Sequence, residues 1–429
     1  MLEQMFHLSR HGTNVRTEVI AGITTFLTMA YIIFVNPSIL ADAGMDRGAV
    51  FVATCLASAI GTLVMALYAN YPLALAPGMG LNAYFTYGVV KGLGYSWEVA
   101  LGAVFISGIL FFVLGVTKVR EWVIDAIPHS QKMAISAGIG LFLAVIALRS
   151  AGIIVESKAT LVTLGDLKAP ATLLAILGFL VMVALDARRI TGAIIIAILA
   201  TTAIGVAFGV SPSQGIFSAP PSLAPTFLKM DLAGALNIGL IAIIFAFFFV
   251  DLFDNTGTLV GVAHRSGLIG RDGKIPRLQR VFVADSTATM TGALLGTSTV
   301  TSFIESAAGV RAGGRTGLVG VVVAILFLLS LFLAPLAATV PQYATAPALL
   351  FVACLMARGL TEMDWEDVTE YAPAVVTAIA MPLTFSIANG IAFGFITYAA
   401  IKLLAGRFAE ARPAVLVLGA VFVIKFAVI

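Results

Sequence analysis

Charged residues are scarce in this chain of 429 residues. They make up 11% of it, whereas soluble domains carry about a quarter, so the chain could not cover a water-facing surface. Only two cysteines are present, Cys55 and Cys354, and both fall inside apolar stretches, which excludes a disulfide framework. The four histidines lie in or beside polar segments, which argues against a buried metal site. These shortages exclude a soluble globular protein.

Apolar stretches about twenty residues long recur along the whole chain, and each could cross the hydrocarbon slab as a helix. The first follows the polar residues 1–16 without a small-residue cleavage site, so it predicts a retained span and not a signal peptide. The last, residues 414–429, is predicted as a further span or a surface-lying helix. Fourteen other spans are predicted, at residues 17–40, 50–69, 71–90, 97–117, 128–149, 170–187, 189–209, 235–262, 279–296, 297–312, 315–339, 343–358, 370–387 and 388–405.

The positive charges support this span count. With the N-terminus in the cytoplasm, eighteen of the 25 lysines and arginines fall in cytoplasmic segments and six on the opposite side, with Lys425 unassigned. A miscounted span would scramble this asymmetry. We therefore predict an all-α polytopic protein in the lipid bilayer of the inner (plasma) membrane.

Two sequence patterns occur twice, seven spans apart. The pattern L-F-x-A-x4-R stands at residues 141–149 and again at 350–358, and V-A-x3-A-[ST]-x2-G stands at 52–61 and 283–292. Because seven is odd, the two copies face opposite ways across the membrane. This predicts a seven-plus-seven inverted repeat, with residues 1–210 as the first half and 211–429 as the second. In such folds the binding site lies near the midplane, where broken segments of the two halves meet.

The third and tenth spans are interrupted at corresponding places. Residues 76–82 read APGMGLN and residues 296–302 read GTSTVTS. Proline and glycine interrupt the helix in the first, and the β-branched run in the second favours extended backbone. Extended backbone at membrane depth is tolerated only where it pairs or lines a cavity. We therefore expect two short strands that meet near the membrane centre.

Three carboxylates fall inside predicted spans, where an ionised acid costs about 3 kcal/mol or more. Asp251 and Asp254 lie in span eight, on one helical face with Thr258, and Glu305 lies in span ten. A buried carboxylate can take up a proton or accept N–H groups from a heterocycle. The alternative is that such an acid caps a broken helix or bonds a neighbour. Asp285, near the cytoplasmic end of its span, is expected to be structural.

Polar residues also occur in span one, where Thr28 and Asn36 either line the same cavity or pack helices together. Taken together, these features favour a secondary transporter for a small polar solute. A membrane enzyme would need a nucleophile–base pair or a metal cluster near the midplane, and the predicted spans contain no such set. No cofactor, metal or nucleic-acid partner is expected.

Four segments resemble the AzgA-like branch of the nucleobase–cation symporters, which has the uracil/xanthine permease fold, and the resemblance covers nearly the whole chain. They are GLNAY at 80–84, FVDLFDNTGT at 249–258, SFIES at 302–306 and MPLTFSIA at 381–388. The resemblance implies a core domain of spans 1–4 and 8–11 and a gate domain of spans 5–7 and 12–14. It also implies short strands in spans three and ten and a homodimer through the gate domains.

The resemblance further implies that one carboxylate from span eight and one from span ten hold the base. Asp254 aligns with the first, through its spacing to Gly257, and Glu305 with the second. The predicted substrate-binding residues are Thr28, Gly80, Asn82, Asp251, Asp254, Thr258, Ile304 and Glu305. The uracil-using branch has a histidine where Thr258 stands, so its way of coupling the proton does not carry over. The G-x-N of residues 80–82 is typical of the purine-using branch. The expected function is therefore import of hypoxanthine, guanine or adenine by proton symport; the alternative is a sulfate- or bicarbonate-like anion transporter of the same architecture.

Overall fold

The computed structural model of the protein describes residues 2–117, 127–236, 240–266, 277–410 and 413–428. Within these ranges, the side chains of residues 253, 254, 257, 260, 261, 263–266, 425 and 428 are outside the described part. Asp254, one of the predicted site acids, is among them.

Helices make up most of the described chain. Those of the first half are α1 Leu2–Phe6, α2 Val15–Met29, α3 Ile32–Ala41, α4 Arg47–Val64, α5 Met79–Ala83, α6 Trp97–Val116, α7 His129–Ser150, α8 Pro170–Ala187 and α9 Ala193–Ala207. Those of the second half are α10 Leu232–Ala235, α11 Ile241–Ser266, α12 Leu278–Leu295, α13 Ser306–Arg311, α14 Leu318–Ser330, α15 Ala334–Thr339, α16 Gln342–Ala357, α17 Val368–Leu383, α18 Ile387–Leu404 and α19 Pro413–Val428. Single π-helical segments extend α4 through Met65–Ala69 and α5 through Tyr84–Gly92.

Twelve of the fourteen predicted spans coincide with one of these helices or with a short run of them, and spans three and ten each combine a short strand with a helix. Eight described stretches are long and apolar enough to cross a bilayer by themselves, and four further apolar helices are shorter. The prediction of a polytopic, mainly helical protein with about fourteen spans is confirmed. The apolar C-terminal stretch forms α19, which packs against α18.

Two strands pair where the sequence predicted them. β1 (Leu75–Pro77) runs antiparallel to β4 (Val300–Ser302), and all six residues are buried. The ladder continues at both ends, because the Gly78 amide donates to the Thr299 carbonyl (3.0 Å) and the Phe303 amide to the Ala74 carbonyl (2.9 Å). The backbone groups that a broken helix leaves open in each span are thus satisfied by the other span.

A second strand pair was not predicted. β2 (Ile154–Ser157) and β3 (Leu161–Leu164) form an antiparallel hairpin between α7 and α8. The residues of β2 are half-buried or exposed and those of β3 are all exposed, so the hairpin adds little to the core.

The two halves meet closely where α4 packs against α12. A Cβ added at Gly61 would lie only 2.6 Å from the Cβ of Ala288, so the two helices need glycine at this point. Gly61 and Ala288 belong to the two copies of the repeated pattern, and the copies of the second pattern lie in α7 and α16. The two copies of each repeated pattern therefore lie on helices that pack against each other, while the inverted repeat itself stays a prediction.

The helices pack in two groups. In one, α4 packs against α12 and α14, α2 against α13 and α14, and α6 against α11 and α12. In the other, α7 packs against α16 and α17, α8 against α9 and α16, and α17 against α18. Helices α5 and α11 of the first group touch α7, and α11 also touches α18, so the broken spans lie at the boundary between the groups.

Candidate functional site

Glu305 occupies the turn between β4 and α13. Its carboxylate Oε1 accepts a hydrogen bond from the Tyr31 hydroxyl at 2.6 Å, the short distance typical of a charge-assisted O–H···O bond. The Glu305 side chain is half-buried, and the preceding Ile304 is exposed. Tyr31 therefore fixes one oxygen of a carboxylate whose residue is only half-buried.

Span one reaches Glu305 through the junction of its two helices. Helix α2 ends at Met29 and α3 begins at Ile32, which puts Tyr31 at the break. One turn earlier, the Thr28 hydroxyl donates to the Thr25 carbonyl at 2.8 Å and lies 3.4 Å from the Glu305 carbonyl. The structure thus brings the predicted pair Thr28 and Glu305 together and adds Tyr31, which sequence reasoning missed.

Asp251 lies near strand β4, to which it is linked through Thr289. Its Oδ2 is 3.3 Å from the Thr289 hydroxyl, which makes a shorter bond of 2.8 Å to the Val300 carbonyl of β4. Asp285, expected to be structural, accepts from the Ser302 hydroxyl at 3.0 Å and so also borders β4. Both aspartates are buried. These carboxylates therefore lie around the strand that precedes Glu305.

Helix α11 contributes further polar groups. Asn255 and Thr258 are buried, and neither amide atom of Asn255 has a hydrogen-bond partner among the described residues. The side chain of Asp254, the predicted partner of Glu305, lies outside the described part. A buried amide without partners is costly unless a ligand or water meets it. Asn255 is therefore a candidate contact that the sequence analysis did not name.

Gly80 and Asn82 sit on α5 directly after β1. A Cβ at Gly80 would lie 2.5 Å from the Cγ2 atom of Ile139 on α7, so glycine permits a close approach of the two packing groups. Asn82 is fully buried, and its amide nitrogen donates to the Asn36 Oδ1 at 3.0 Å. The side chain of Asn36, which the sequence left open between cavity lining and packing, is therefore bonded to a predicted site residue.

An acidic cluster lies apart from these groups. Asp367, Glu370 and Glu410 could together hold a cation, but the Lys402 ammonium already lies 2.7 Å from both glutamates. Lys402 is fully buried, and a buried ammonium needs such ionic partners. The cluster joins the start of α17 to the end of α18.

Asp367 begins α17 as its N-cap. Hydrogen bonds from the hydroxyl and amide of Thr369, followed by the Arg407 guanidinium at 2.6 Å, lower the pKa of Asp367 to about 2. The carboxylate is therefore ionised throughout the physiological range.

Polar groups on two broken spans, in a helical inverted repeat, are the arrangement in which transporters bind solutes. A family model named for xanthine and uracil permeases and described as "Permease family" matches residues 16–393. The chain belongs to this permease family.

Two relatives align with the permease over almost its full length. It is 49% identical to the adenine permease AdeP of Escherichia coli, covering 99% of this chain and 96% of that one. It is 44% identical to the guanine/hypoxanthine permease PbuO of Bacillus subtilis, covering 98% and 99%. The resemblance to AzgA-like purine permeases is thereby confirmed, and the protein is a multi-pass membrane transporter and not an enzyme.

The fold of the permease is also that of a solved anion transporter. The transmembrane domain of the cyanobacterial bicarbonate transporter BicA superposes with a TM-score of 0.64 over 89% of this chain and 97% of that one. The two sequences are 16% identical, so the similarity concerns the fold alone.

Proposed function

We propose that this permease imports purine nucleobases across the inner membrane by proton symport. The observation that carries the proposal is the half-buried Glu305 carboxylate between two broken spans, held at one oxygen by Tyr31. The names of the two relatives, an adenine permease and a guanine/hypoxanthine permease, support a purine base as the substrate.

The chemistry of the site suits a heterocycle with N–H groups. A carboxylate accepts two hydrogen bonds side by side, and Tyr31 occupies only one of the Glu305 oxygens. The proposed contacts are Glu305, Asp254, Asn82 and Asn255, with Gly80, Ile304, Thr28, Thr258 and Asp251 shaping or supporting the pocket. Carboxylates and amide oxygens accept from the ring N–H and amino groups of a purine.

Alternating access would follow from movement of the two packing groups against each other. We assign spans 1–4 and 8–11 to a core domain that carries the base and spans 5–7 and 12–14 to a gate domain, which we also propose as the homodimer contact. In this assignment the proposed substrate residues belong to the core, and the close approach of Gly80 to Ile139 of the gate supports a boundary beside them. A base bound there would become accessible from the other side of the membrane when the core moves relative to the gate.

Proton coupling would use the same carboxylate. None of the described ion pairs involves Glu305, so a proton is the simplest way to neutralise it during transport. Protonation and base binding at one site would tie the two movements together.

The alternative is transport of an anion such as bicarbonate, which the fold shared with BicA supports. The carboxylates around β4 would repel an anion, since like charges in a membrane interior interact strongly. We therefore favour the base over the anion.

Counterflow of labelled adenine, hypoxanthine and guanine into liposomes that contain the purified protein tests the proposal. In counterflow, we expect at least one purine to exchange and uracil not to compete. In a separate assay, we expect net uptake into vesicles with an imposed proton gradient to fall with a protonophore and to persist without sodium. Exchange of bicarbonate or sulfate with no purine exchange would contradict the substrate assignment. Undiminished uptake with the proton gradient collapsed would contradict the coupling.

A further inference from the structure

A chain of buried side chains leads from span two to the predicted site. The Asn82 amide nitrogen donates to Asn36 Oδ1 at 3.0 Å, and the Asn36 amide nitrogen donates to the hydroxyls of Thr54 and Thr297, both at 2.8 Å. All four side chains are fully buried. They come from spans three, one and two and from the segment before β4, so the chain joins both repeats.

The Thr54 hydroxyl fixes the direction of this chain. It gives its one proton to the Val50 carbonyl one turn earlier on α4, at 2.7 Å. Its oxygen can then only accept, so the end of the Asn36 amide that meets it must be the nitrogen. The oxygen of Asn36 consequently faces Asn82, and Asn82 donates a hydrogen bond to it through its amide nitrogen.

The remaining end of the chain is the Asn82 oxygen. It is buried and has no hydrogen-bond partner among the described residues. Because buried acceptors in proteins are nearly always matched by a donor, this oxygen calls for an N–H or O–H group that the described residues do not supply. The Asn82 nitrogen is used by Asn36, so toward any further group Asn82 presents its oxygen as a hydrogen-bond acceptor.

We infer that Asn36, oriented by Thr54, is a positioning residue that fixes the Asn82 amide with its oxygen toward the substrate, so that Asn82 receives an N–H group of the base. The inference rests on the proposed placement of Asn82 in a purine site. Asn36 and Thr54 do not touch the base in this proposal. They nevertheless decide which hydrogen-bonding group of the base the site accepts.

A double-variant cycle on the purified protein tests this assignment, with adenine, hypoxanthine and guanine affinities as the readout. Asn82→Asp keeps an acceptor for the base but places an oxygen against Asn36 Oδ1, so affinity should fall by roughly 30-fold. Thr54→Val removes the acceptor that orients Asn36, whose amide can then turn its nitrogen to the new carboxylate. Adding Thr54→Val to Asn82→Asp should therefore restore affinity by about fivefold.

A merely structural role for Thr54 predicts the opposite, because two damaging changes would then add. A double variant that binds no better than Asn82→Asp overturns the inference while the wild type still binds purines. Failure of the wild type to bind any purine would instead contradict the proposed function.

If Asn82→Asp does not melt cooperatively, the single variants decide. Thr54→Ser keeps the hydroxyl and should bind within about twofold of wild type, whereas Thr54→Val should bind about fivefold more weakly. Thr202→Val on α9 is the matched control, because Thr202 is buried and bonds the Ile198 carbonyl one turn earlier in the same way. Equal affinity of Thr54→Val and wild type overturns the inference.

Discussion

Replacement of Glu305 by glutamine should weaken purine binding, because the Tyr31 hydroxyl determines how the new amide is oriented. In the wild type, Tyr31 donates to one carboxylate oxygen at 2.6 Å, and in the proposed complex the other oxygen accepts from the base. In Glu305→Gln the amide oxygen will take the side of the Tyr31 hydroxyl, which leaves the amide nitrogen facing an N–H donor. The loss of a charge-assisted hydrogen bond, together with an unmatched donor, corresponds to about 2 kcal/mol or more.

That free energy corresponds to a roughly 30-fold rise in Kd, measured by calorimetry on the purified protein with its melting temperature recorded. Tyr31→Phe provides the matched test, because without the hydroxyl the glutamine can turn its oxygen to the base. The double variant Tyr31→Phe/Glu305→Gln should therefore bind more tightly than Glu305→Gln alone. A well-folded Glu305→Gln protein with wild-type affinity would remove Glu305 from the site.

Three further predictions concern neighbouring parts of the fold. Asp254→Asn should weaken purine binding by about 2 kcal/mol and Asp251→Asn by clearly less, and equal losses in calorimetry would mean that the helix is aligned one turn wrongly. Gly80→Ala should slow counterflow about tenfold, because its Cβ would meet Ile139 at 2.5 Å, and Ile139→Ala should relieve that loss; no relief would contradict the close contact. Asp367 has a pKa lowered to about 2 from 3.8, so its contribution to stability is complete above pH 4 and declines as the pH falls to 2. The melting temperature of Asp367→Asn should vary less than that of wild type across this window, and identical profiles would count against the cap.

The membrane-spanning architecture could be predicted because its signals are local. Length and hydropathy identify the spans, and Pro77 with the Thr-rich run before Ser302 identifies the two strands. The hairpin at Ile154–Leu164 had no comparable signal, since its exposed residues carry no clear alternation. Burial of Lys402 was also hidden, because charge bias places a lysine on one side of the membrane but does not reveal its partners.

For the candidate site, the sequence indicated the acids but not the residues that contact them. Glu305 stands out because a carboxylate in a span is costly, and Thr28 followed from its place in span one. Tyr31 gives no such signal, since a tyrosine in an apolar span is ordinary. Its pairing with Glu305 depends on two residues 274 positions apart, which only the folded chain brings together.

The β1–β4 ladder has a consequence for how the protein enters the membrane. Residues 75–77 are synthesised more than two hundred residues before their partners, residues 300–302. Until span ten arrives, the backbone groups of the first strand have no permanent partner at the membrane centre, where lipid offers none. The N-terminal half alone should therefore remain a substrate for quality-control proteases, and co-expression of the two halves as separate chains should protect both.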